Sequence, residues 1–477
     1  MRKTLLIVCT FLAGLTVSVA QDVKKWTLQE CVNVALENNL RVKRSIYNVQ
    51  TNESYLTQSK AAFLPTLNGG GSNGWNYGRA LNPVTNLFVN RNSNTLNLQA
   101  SSSLMLFNGL RLQNSFRQSK KDVDASNADL NKAKNDVILN VVTYYINVIF
   151  NKELFENAKY QLNSSEQQLE RIKKQVAAGA LSISNQLNQE AQVATNEVNL
   201  INQENALNLS LLQLKQSLQL PGSTPMEVEV PELQTEDLIL NQSAEDIYQI
   251  SLNTMPEIKS AILKVQSAEF ALKANKGNYY PRLTLNASAQ SNYSSLSDAP
   301  RFAPDGTMIN TPIGFVASTN EPVLTQVPGT ERVADSYGRR DQIQDNLFKA
   351  INFQLNIPIF NGLQTRMSVQ RSAITKELAD ITVIETQNTL RQSIETAFND
   401  ATAASKTYTS SMKQVNAQEE AYRMNKQRFE LGAINFVEYQ ISENDLFRAK
   451  SDLTRAKYNF IFKKKVLDFY QGKAIEL

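Results

Sequence analysis

Apolar residues recur at helical spacing over most of the chain. The pattern predicts helices at about 28–62, 111–178, 184–218, 244–274, 364–431 and 435–470. The stretch 111–178 contains neither proline nor glycine. Helices of globular proteins average about a dozen residues, so helices several times longer require packing along their whole length, as in coiled coils. The sequence therefore predicts long antiparallel helices as the main component of the fold.

Two of these helices carry heptad seams, in which apolar residues are spaced alternately by three and four positions. The seams comprise Leu446, Ala449, Leu453, Ala456 and Phe460 in one helix, and Leu187, Ala191, Ala194, Val198 and Ile201 in the other. Asn205 and Asn208 interrupt the second seam. A polar seam residue either fixes the register of packed helices or faces water in a lumen, and the sequence leaves both readings open.

Four stretches between the helices alternate apolar and uncharged polar residues with the period of two that β-strands have. They predict strands at about 65–77, 95–107, 281–293 and 347–360. A soluble sandwich shows the same alternation, but the polar faces of Asn, Gln, Ser and Thr suit a water-filled lumen. Aromatic residues stand at the strand ends, as in a membrane girdle: Phe107, Tyr279, Tyr280 and Phe360. Four strands cannot close a barrel, whereas three chains would supply twelve.

The chain is internally duplicated. Three landmarks of the first half return in the same order in the second: Pro65 as Pro281, Gly109 as Gly362, and Gly179 as Gly432. The first pair is 216 residues apart and the other two pairs are 253 residues apart, so the second half carries 37 extra residues. A unit of this length is too long for a solenoid repeat and predicts two halves related by pseudo-symmetry.

The first residues have the pattern of a secretory signal. Arg2 and Lys3 precede a short apolar run, and the small residues Ser18-Val19-Ala20 form a cleavage site. We therefore expect a signal peptide at 1–20, a first structural repeat at 21–220, a connection at 221–243 and a second structural repeat at 244–477. Cys31 is then the one remaining cysteine, and its place in the helical pattern predicts core packing.

Composition excludes several classes of function. The net charge of +4 comes from interspersed charges, without the basic patch of a nucleic-acid-binding protein. The chain contains no histidine, which removes His-based acid–base catalysis and His-ligated metals. We therefore expect no enzymatic activity and no cofactor or metal. After the signal no stretch has 18 consecutive apolar residues, so a membrane protein of this sequence has to be a β-barrel.

The extra residues of the second half have loop character. Residues 298–340 hold the turn dipeptides Asp305-Gly306 and Pro328-Gly329 and no apolar period. Because the longer loops of membrane barrels lie outside the cell, we expect an outer loop on the cell surface here. Its shorter counterpart is expected at 79–94, beside it.

Taken together, these motifs resemble those of the TolC-like outer-membrane efflux family. The resemblance covers nearly all of the mature chain and is carried by Trp26 to Cys31, Ala35 to Asn39, the strand starts at Pro65 and Pro281, the strand ends Leu106 to Leu110 and Ile359 to Leu363, and the tail from Arg428 to Gln440 and from Ala449 to Asn459. Each motif is weak alone, but their order and duplication are specific.

The resemblance implies an α+β membrane protein that forms a homotrimer. A twelve-stranded barrel would cross the outer membrane and contact its lipid, and an α-helical tunnel would extend into the periplasm. Such a conduit exports solutes or proteins delivered by a periplasmic adaptor and an inner-membrane transporter, which supplies the energy. The cargo is not specified by the sequence.

The resemblance also implies functional positions at the turns of two helical hairpins. Gly179 with Ala180, and Gly432 with Ala433, would lie at the periplasmic tip where adaptors dock. Glycine also fits these positions simply as a helix C-cap, and the two roles are compatible.

Acidic residues past the second tip would ring the closed entrance. Glu438 matches one such position, while the position three residues later is Ile441, so a second ring is absent or has moved to Glu443. An exposed helix residue is the alternative role for Glu438. Phe429 replaces a tyrosine that often joins the gate, which removes a hydroxyl bond there.

Two other functions fit parts of the pattern. A structural or adhesive coiled-coil trimer would need only one membrane anchor, whereas strand pairs occur here in both halves. A barrel enzyme is disfavoured by the absence of histidine, although Ser-Lys and carboxylate chemistries remain formally open.

Overall fold

A computed structural model describes residues 25–81, 86–230, 242–298 and 300–473. The predicted signal peptide and residues 231–241 of the predicted connection lie outside the described residues. Internal contacts divide the chain into two units. We call them the helical unit (25–50, 124–262 and 381–473, in their described parts) and the sheet unit (51–123 and 263–380, in their described parts).

Helices account for most of the described chain. Their bounds are α1 Leu28–Asn38, α2 Leu40–Ala61, α3 Arg111–Ala177, α4 Ile183–Ser217, α5 Ala244–Thr254, α6 Pro256–Lys276, α7 Arg339–Asp345, α8 Gln364–Glu430 and α9 Phe436–Tyr470. The strands are β1 Lys25–Trp26, β2 Thr66–Asn76, β3 Arg79–Leu81, β4 Phe88–Asn90, β5 Ser93–Phe107, β6 Glu227–Val228, β7 Arg282–Ser294, β8 Arg301–Phe315, β9 Pro322–Ala334 and β10 Phe348–Asn356.

The four longest helices have nearly the bounds that the sequence predicts. α3 and α8 each contain 67 residues, and α4 and α9 each contain 35, so the two halves match in length. The prediction was wrong about the first helix of each half, which is broken into two. Asn39 and Met255 have extended ψ angles of 126° and 127° and separate α1 from α2 and α5 from α6. Met255 precedes Pro256, whose ring disfavours helical backbone at the preceding residue.

The main sheet of the sheet unit is antiparallel, with strand order β10-β7-β5-β2. One face is polar: the Ser103 hydroxyl donates to Asn286 Oδ1 at 2.9 Å, and Asn286 Nδ2 donates to Gln354 Oε1 at 3.4 Å. The apolar residues of β10 lie at alternate positions, and Ile351 is 75 % exposed within the single chain. The alternation predicted from the sequence therefore produces a sheet whose apolar face is uncovered by this chain.

All four connections between the sheet and the helices lie at one end of this sheet, which we call the helix end. β2 and β7 begin there, and β5 and β10 end there. β10 ends at Asn356, short of the predicted 360, just before Pro358, which lacks the amide hydrogen that a strand needs. Gly109 and Gly277 approach closely, since a Cβ built on Gly109 would lie 2.3 Å from the Gly277 carbonyl oxygen.

The extra residues of the second half, where the sequence showed turn dipeptides and no apolar period, form regular structure. β8 and β9 form a long antiparallel hairpin that turns between Val316 and Glu321, and α7 follows it. The dipeptides Asp305-Gly306 and Pro328-Gly329 lie within the strands, with an irregularity in pairing between Pro304 and Met308. Prolines are tolerated in such a hairpin because each strand has an unpaired edge. In the shorter counterpart, β3 pairs antiparallel with β4.

The helical unit contains the main apolar core, and Cys31 lies fully buried in it, as predicted. Thr27 and Glu30 form the capping box that their spacing indicates. The Tyr145 hydroxyl contacts the carbonyls of Trp26 and Glu229 at 3.0 and 2.8 Å, beside the parallel β1–β6 pair. Among the described residues, none of the helices has the length and apolar character needed to cross a membrane.

The two predicted heptad seams differ in burial. In α9, the seam residues Leu446, Ala449, Ala456 and Phe460 are buried. In α4, the seam is exposed within the single chain: Leu187, Val198 and Ile201 are each more than half exposed. The residues of α4 that this chain buries are instead Gln189, Val193, Asn196, Ser210 and Leu214. One seam thus packs within the chain and the other is left without a partner from this chain.

Candidate functional site: the two hairpin turns

Each of the two long helices ends in the same turn. Gly179 has φ 74° and Gly432 has φ 73°, the left-handed conformation that glycine adopts without strain. The amides of Gly179 and Ala180 donate to the carbonyls of Val176 and Gln175, and the amides of Gly432 and Ala433 donate to those of Phe429 and Arg428. These paired bonds are the Schellman motif, which satisfies the last carbonyls of a helix.

The helix that follows the first turn is weakly fixed at its start. Ser182 occupies the N-cap position of α4 without a side-chain hydrogen bond to the helix. Ile183 and Leu187, in the first and second turns of α4, are 59 % and 57 % exposed. This chain therefore leaves the apolar residues at the start of α4 uncovered.

The helix that follows the second turn is capped. Asn435 Oδ1 accepts from the Glu438 amide at 2.9 Å, and Asn435 Nδ2 donates to Glu438 Oε1 at 2.9 Å. Glu438 is exposed, and its carboxylate stands in the first turn of α9, where a negative charge complements the helix dipole. The structure thus gives Glu438 a capping role and leaves its carboxylate accessible.

Aromatic side chains pack against this second turn. Phe429 stacks on Tyr439 with ring centroids 5.0 Å apart, and Phe436 lies 5.9 Å from Phe429. The hydroxyls of Tyr422 and Tyr439 are 3.1 Å apart. We call these four residues the aromatic cluster; Ile172 of α3 and Ile434 are buried against it. The cluster joins three helices, α3, α8 and α9.

Glu443 lies one turn beyond Tyr439 and is buried, only 8 % exposed. Ser164 of α3 donates its hydroxyl to Glu443 Oε1 at 3.1 Å. Burial raises the pKa of the Glu443 carboxyl, while the Ser164 hydrogen bond and the charges of Lys426 and Arg171 oppose that shift. Burial also raises the pKa of Tyr422 and of Tyr439, so both hydroxyls keep their protons at neutral pH.

Within this chain Glu443 is therefore a packing residue rather than a surface carboxylate. Its place between helices disfavours our expectation that it forms a second acidic ring. Its neighbour Ser442 is buried as well, and the Ser442 hydroxyl has no hydrogen-bond partner within the described residues. Of the two acidic candidates, only Glu438 presents a charge at the surface of the chain.

The sequence did not identify the tyrosine pair. Phe429 cannot donate a hydrogen bond, as expected, but the hydroxyl contact is made by Tyr422 and Tyr439 instead. Their spacing contained a signal, because Tyr422 and Phe429 are seven residues apart in α8 and Phe436 and Tyr439 are three apart in α9. Each pair lies on one face of its helix, but only the packing of the two helices brings the faces together.

The sequence matches a known protein family and a characterised relative over nearly its whole length. The family model described as outer membrane efflux protein matches residues 31–219 and 247–467. The outer membrane efflux protein BepC of Brucella suis biovar 1 is 22 % identical over 467 residues, covering 96 % of this chain and 88 % of that protein. The two matched segments correspond to the two halves of the duplication.

Solved structures share the fold at low sequence identity. The outer membrane protein VceC of Vibrio cholerae superimposes with a TM-score of 0.73 at 13 % identity, covering 94 % of this chain and 97 % of VceC. The CmeC outer membrane channel of Campylobacter jejuni gives a TM-score of 0.69 at 17 % identity, covering 94 % of this chain and 86 % of CmeC. The fold is thus shared over nearly the whole length of each chain.

Proposed function

Since the chain belongs to the outer membrane efflux protein family, we propose that three copies of it form one conduit, which receives cargo from a periplasmic adaptor and an inner-membrane transporter. The chain itself is an outer-membrane efflux channel protein that extends into the periplasm. Trimerisation, the partners and the gate are the parts of this account that we propose.

The observation that carries the trimer is the incomplete sheet. The four-stranded sheet has an unpaired edge strand on each side, β2 and β10, and its apolar face is uncovered. An open edge of unpaired backbone groups inside a membrane is costly, and closure removes it. Three copies joined edge to edge would supply twelve strands, enough to enclose a lumen lined by the polar face.

The exposed helix seams favour the same assembly. The α4 seam has no partner within the chain, and α8 exposes further apolar residues along its first half: Ile374, Leu378, Ile381 and Ile384. Apolar residues at heptad spacing on a long helix are typical of packing against another helix. In our proposal, neighbouring copies cover these residues.

We assign the adaptor contact to the two turns. Gly179 and Gly432 have no atom within 4 Å of the position that a Cβ would take, so both turns face open space. Ala180 and Ala433 are exposed beside them, and Leu431 is 84 % exposed. Small residues with one exposed apolar side chain permit the close approach of a partner helix.

The aromatic cluster is proposed to hold the periplasmic entrance closed. It fixes the second turn to the end of α3, where Val176 and Leu181 of the first turn pack against the same cluster, whereas the start of α4 has no such contacts and leaves Ile183 exposed. Glu438 would then lie at the narrow end, where three carboxylates around the axis attract cations, as charged rings in pores do. Glu443 lies inside the helix packing and contributes no such charge.

Measurements on the purified protein test both parts of the proposal. Native mass spectrometry of the detergent-extracted protein should give three copies, and planar bilayers should show ion conductance. The variant Glu438→Gln should fold normally, reduce cation selectivity and weaken block by divalent cations from the periplasmic side. Glu443→Gln, which alters a buried neighbour, should leave the selectivity unchanged.

Three outcomes would contradict parts of the proposal. A monomer with no conductance would remove the conduit, and a trimer with no conductance would favour the structural or adhesive alternative. If Glu438→Gln conducts with unchanged ion selectivity and block, the carboxylate merely caps its helix.

A further inference from the structure

We propose that the helix end of the sheet is a binding site for anionic phospholipid headgroups of the periplasmic leaflet, with Arg366 and Arg371 as its main phosphate contacts. The proposal depends on the outer-membrane location of the chain and is independent of the gate. Three observations within the sheet unit carry it: a one-signed charge distribution, a polar groove and a fringe of exposed apolar side chains.

The strand–helix connections at this end contain basic residues and no acidic ones, although Lys273 is paired with Glu269 at 2.6 Å. No Asp or Glu occurs in residues 54–121, 270–297 or 346–376, which contain all four strand–helix connections. Basic residues flank these connections on every side: Lys60, Arg111, Arg117, Lys273, Lys276, Arg282, Arg366 and Arg371. In the part of the chain that the structure describes, neither Arg366 nor Arg371 has an acidic partner, and both side chains belong to exposed residues.

A groove of about 640 Å³ lies at the start of α8. Its lining is basic and polar: Arg282 and Arg371 stand with Asn278, Asn361, Thr365 and Ser368. Arg366 lines an adjoining groove together with Tyr279 and Phe360. Arginine is suited to phosphate because its planar guanidinium presents several donors in a fixed geometry, and the amide and hydroxyl groups can bond the ester oxygens.

Exposed apolar side chains stand next to the basic residues. Ile359 is 95 % exposed, Phe360 is 80 % exposed, and Tyr279 and Tyr280 are each more than half exposed. Ile359 and Phe360 come after β10, and Tyr279 and Tyr280 come just before β7, in the sheet whose apolar face is uncovered. Aromatic side chains favour the boundary between acyl chains and headgroups, and arginine extends its charge from there toward the phosphate level.

The opposite end of the sheet has a different character. Its hairpin and α7 carry acidic as well as basic residues, several of them paired, such as Arg301 with Asp345 at 2.9 Å and Arg332 with Asp335 at 3.1 Å. The excess of basic over acidic residues thus lies at the helix end, which faces the periplasm when the helices extend there. A phospholipid fits this combination better than a free anion, because the apolar fringe would have no role in binding a small ion.

The test compares lipids and paired variants. Dioleoylphosphatidylglycerol and dioleoylphosphatidylcholine are titrated against the delipidated trimer in detergent, and bound lipid is counted by native mass spectrometry. Each basic residue near an anionic surface contributes about fivefold in affinity, so Arg366→Gln/Arg371→Gln should weaken phosphatidylglycerol binding about 25-fold and leave phosphatidylcholine binding unchanged. Inorganic phosphate should not compete with phosphatidylglycerol.

The matched control is Lys413→Gln/Arg448→Gln, which removes the same charge from exposed positions of the helical unit. We expect it to bind phosphatidylglycerol as the unmodified protein does. Equal binding of both lipids, an unchanged phosphatidylglycerol affinity in the double arginine variant, or full competition by phosphate would each overturn the proposal. The trimer mass and conductance of the unmodified protein report on the conduit separately.

Discussion

The two hairpin turns have nearly the same backbone and very different surroundings. Both end a 67-residue helix with the same Schellman bonds and lead into a 35-residue helix. The second turn is fixed by a capped helix start and an aromatic cluster, while the first adds Val176 and Leu181 to the edge of that cluster and leaves Ile183 and Leu187 exposed at the start of α4. The duplication thus preserved the turn, and the two copies differ in what holds the turn in place.

The difference can be followed residue by residue, because positions in the two turns are related by 253 residues. The pairs are Ile183 and Phe436, Asn185 and Glu438, Gln186 and Tyr439, and Glu190 and Glu443. In the first copy, Glu190 accepts a hydrogen bond from Gln186 within its own helix at 2.9 Å. In the second, Glu443 is bonded to another helix through Ser164. Each pair therefore provides a variant and its internal control.

The largest effect is expected for Phe436→Ala. Phe436 is 3 % exposed, and truncation of a buried phenylalanine costs about 3–5 kcal/mol. We expect the free energy of local opening of the second turn to fall by that amount, measured by hydrogen exchange of the amides in 428–440. Ile183→Ala, at the equivalent exposed position, should change the opening of the first turn by less than about 0.5 kcal/mol. Similar losses at both positions would mean that the turns are equally packed.

A smaller and equal effect is expected for the two glycines. Alanine at either position has to adopt a positive φ, which costs about 1–2 kcal/mol, and neither position has a contact that would add to this cost. Gly179→Ala and Gly432→Ala should therefore lower the free energy of local opening at the ends of α3 and α8 by the same amount, measured by hydrogen exchange of the amides there. Unequal losses would show that the turns differ in backbone as well as in surroundings.

The smallest effect on the opening free energy at any single pH is expected for Glu443→Gln. This variant is instead expected to change how the opening free energy depends on pH. The pKa of the buried carboxyl is raised, so its protonated form is favoured in the packed state. Its contribution to the stability of the second turn is fully present below the ordinary glutamate pKa of 4.5 and is lost as the pH rises through the raised value. The opening free energy should thus decrease with pH across this interval.

Two variants isolate this carboxyl. In Glu443→Gln the decrease should disappear, because glutamine does not titrate but can still accept the bond from Ser164. Glu190→Gln, at the equivalent position of the first copy, should leave the pH dependence of the second turn intact. A pH dependence that survives in Glu443→Gln would assign the titration to another group.

The sequence predicts features that depend on local chemistry, and the structure adds those that depend on packing. The bounds of α3 and α8 follow from Gly109 and Gly362 before them and Gly179 and Gly432 after them. The helix break at Met255 has a sequence signal in Pro256. Asn39 has no such signal, and its break could be expected only because Asn39 is the counterpart of Met255 in the repeat. The β8–β9 hairpin was missed because its prolines and glycines resemble turn residues.

The site shows the same division. The capping glycines could be found from their position in the duplicated pattern, and Glu438 from the family resemblance. The burial of Glu443 could not, because a glutamate in a helix is normally solvated and only the approach of α3 brings Ser164 to it. The tyrosine hydroxyl contact likewise needs the relative rotation of α8 and α9, which the sequence does not specify.

Our central claim is that the aromatic cluster of the second turn holds the conduit closed at its periplasmic entrance. Single-channel recording of the reconstituted trimer tests it most directly. We expect Phe436→Ala to increase the open time and conductance relative to the unmodified protein, and Ile183→Ala to leave both unchanged. Equal conductance and open time in the unmodified protein and both variants, with correct trimer mass in each, would contradict the claim.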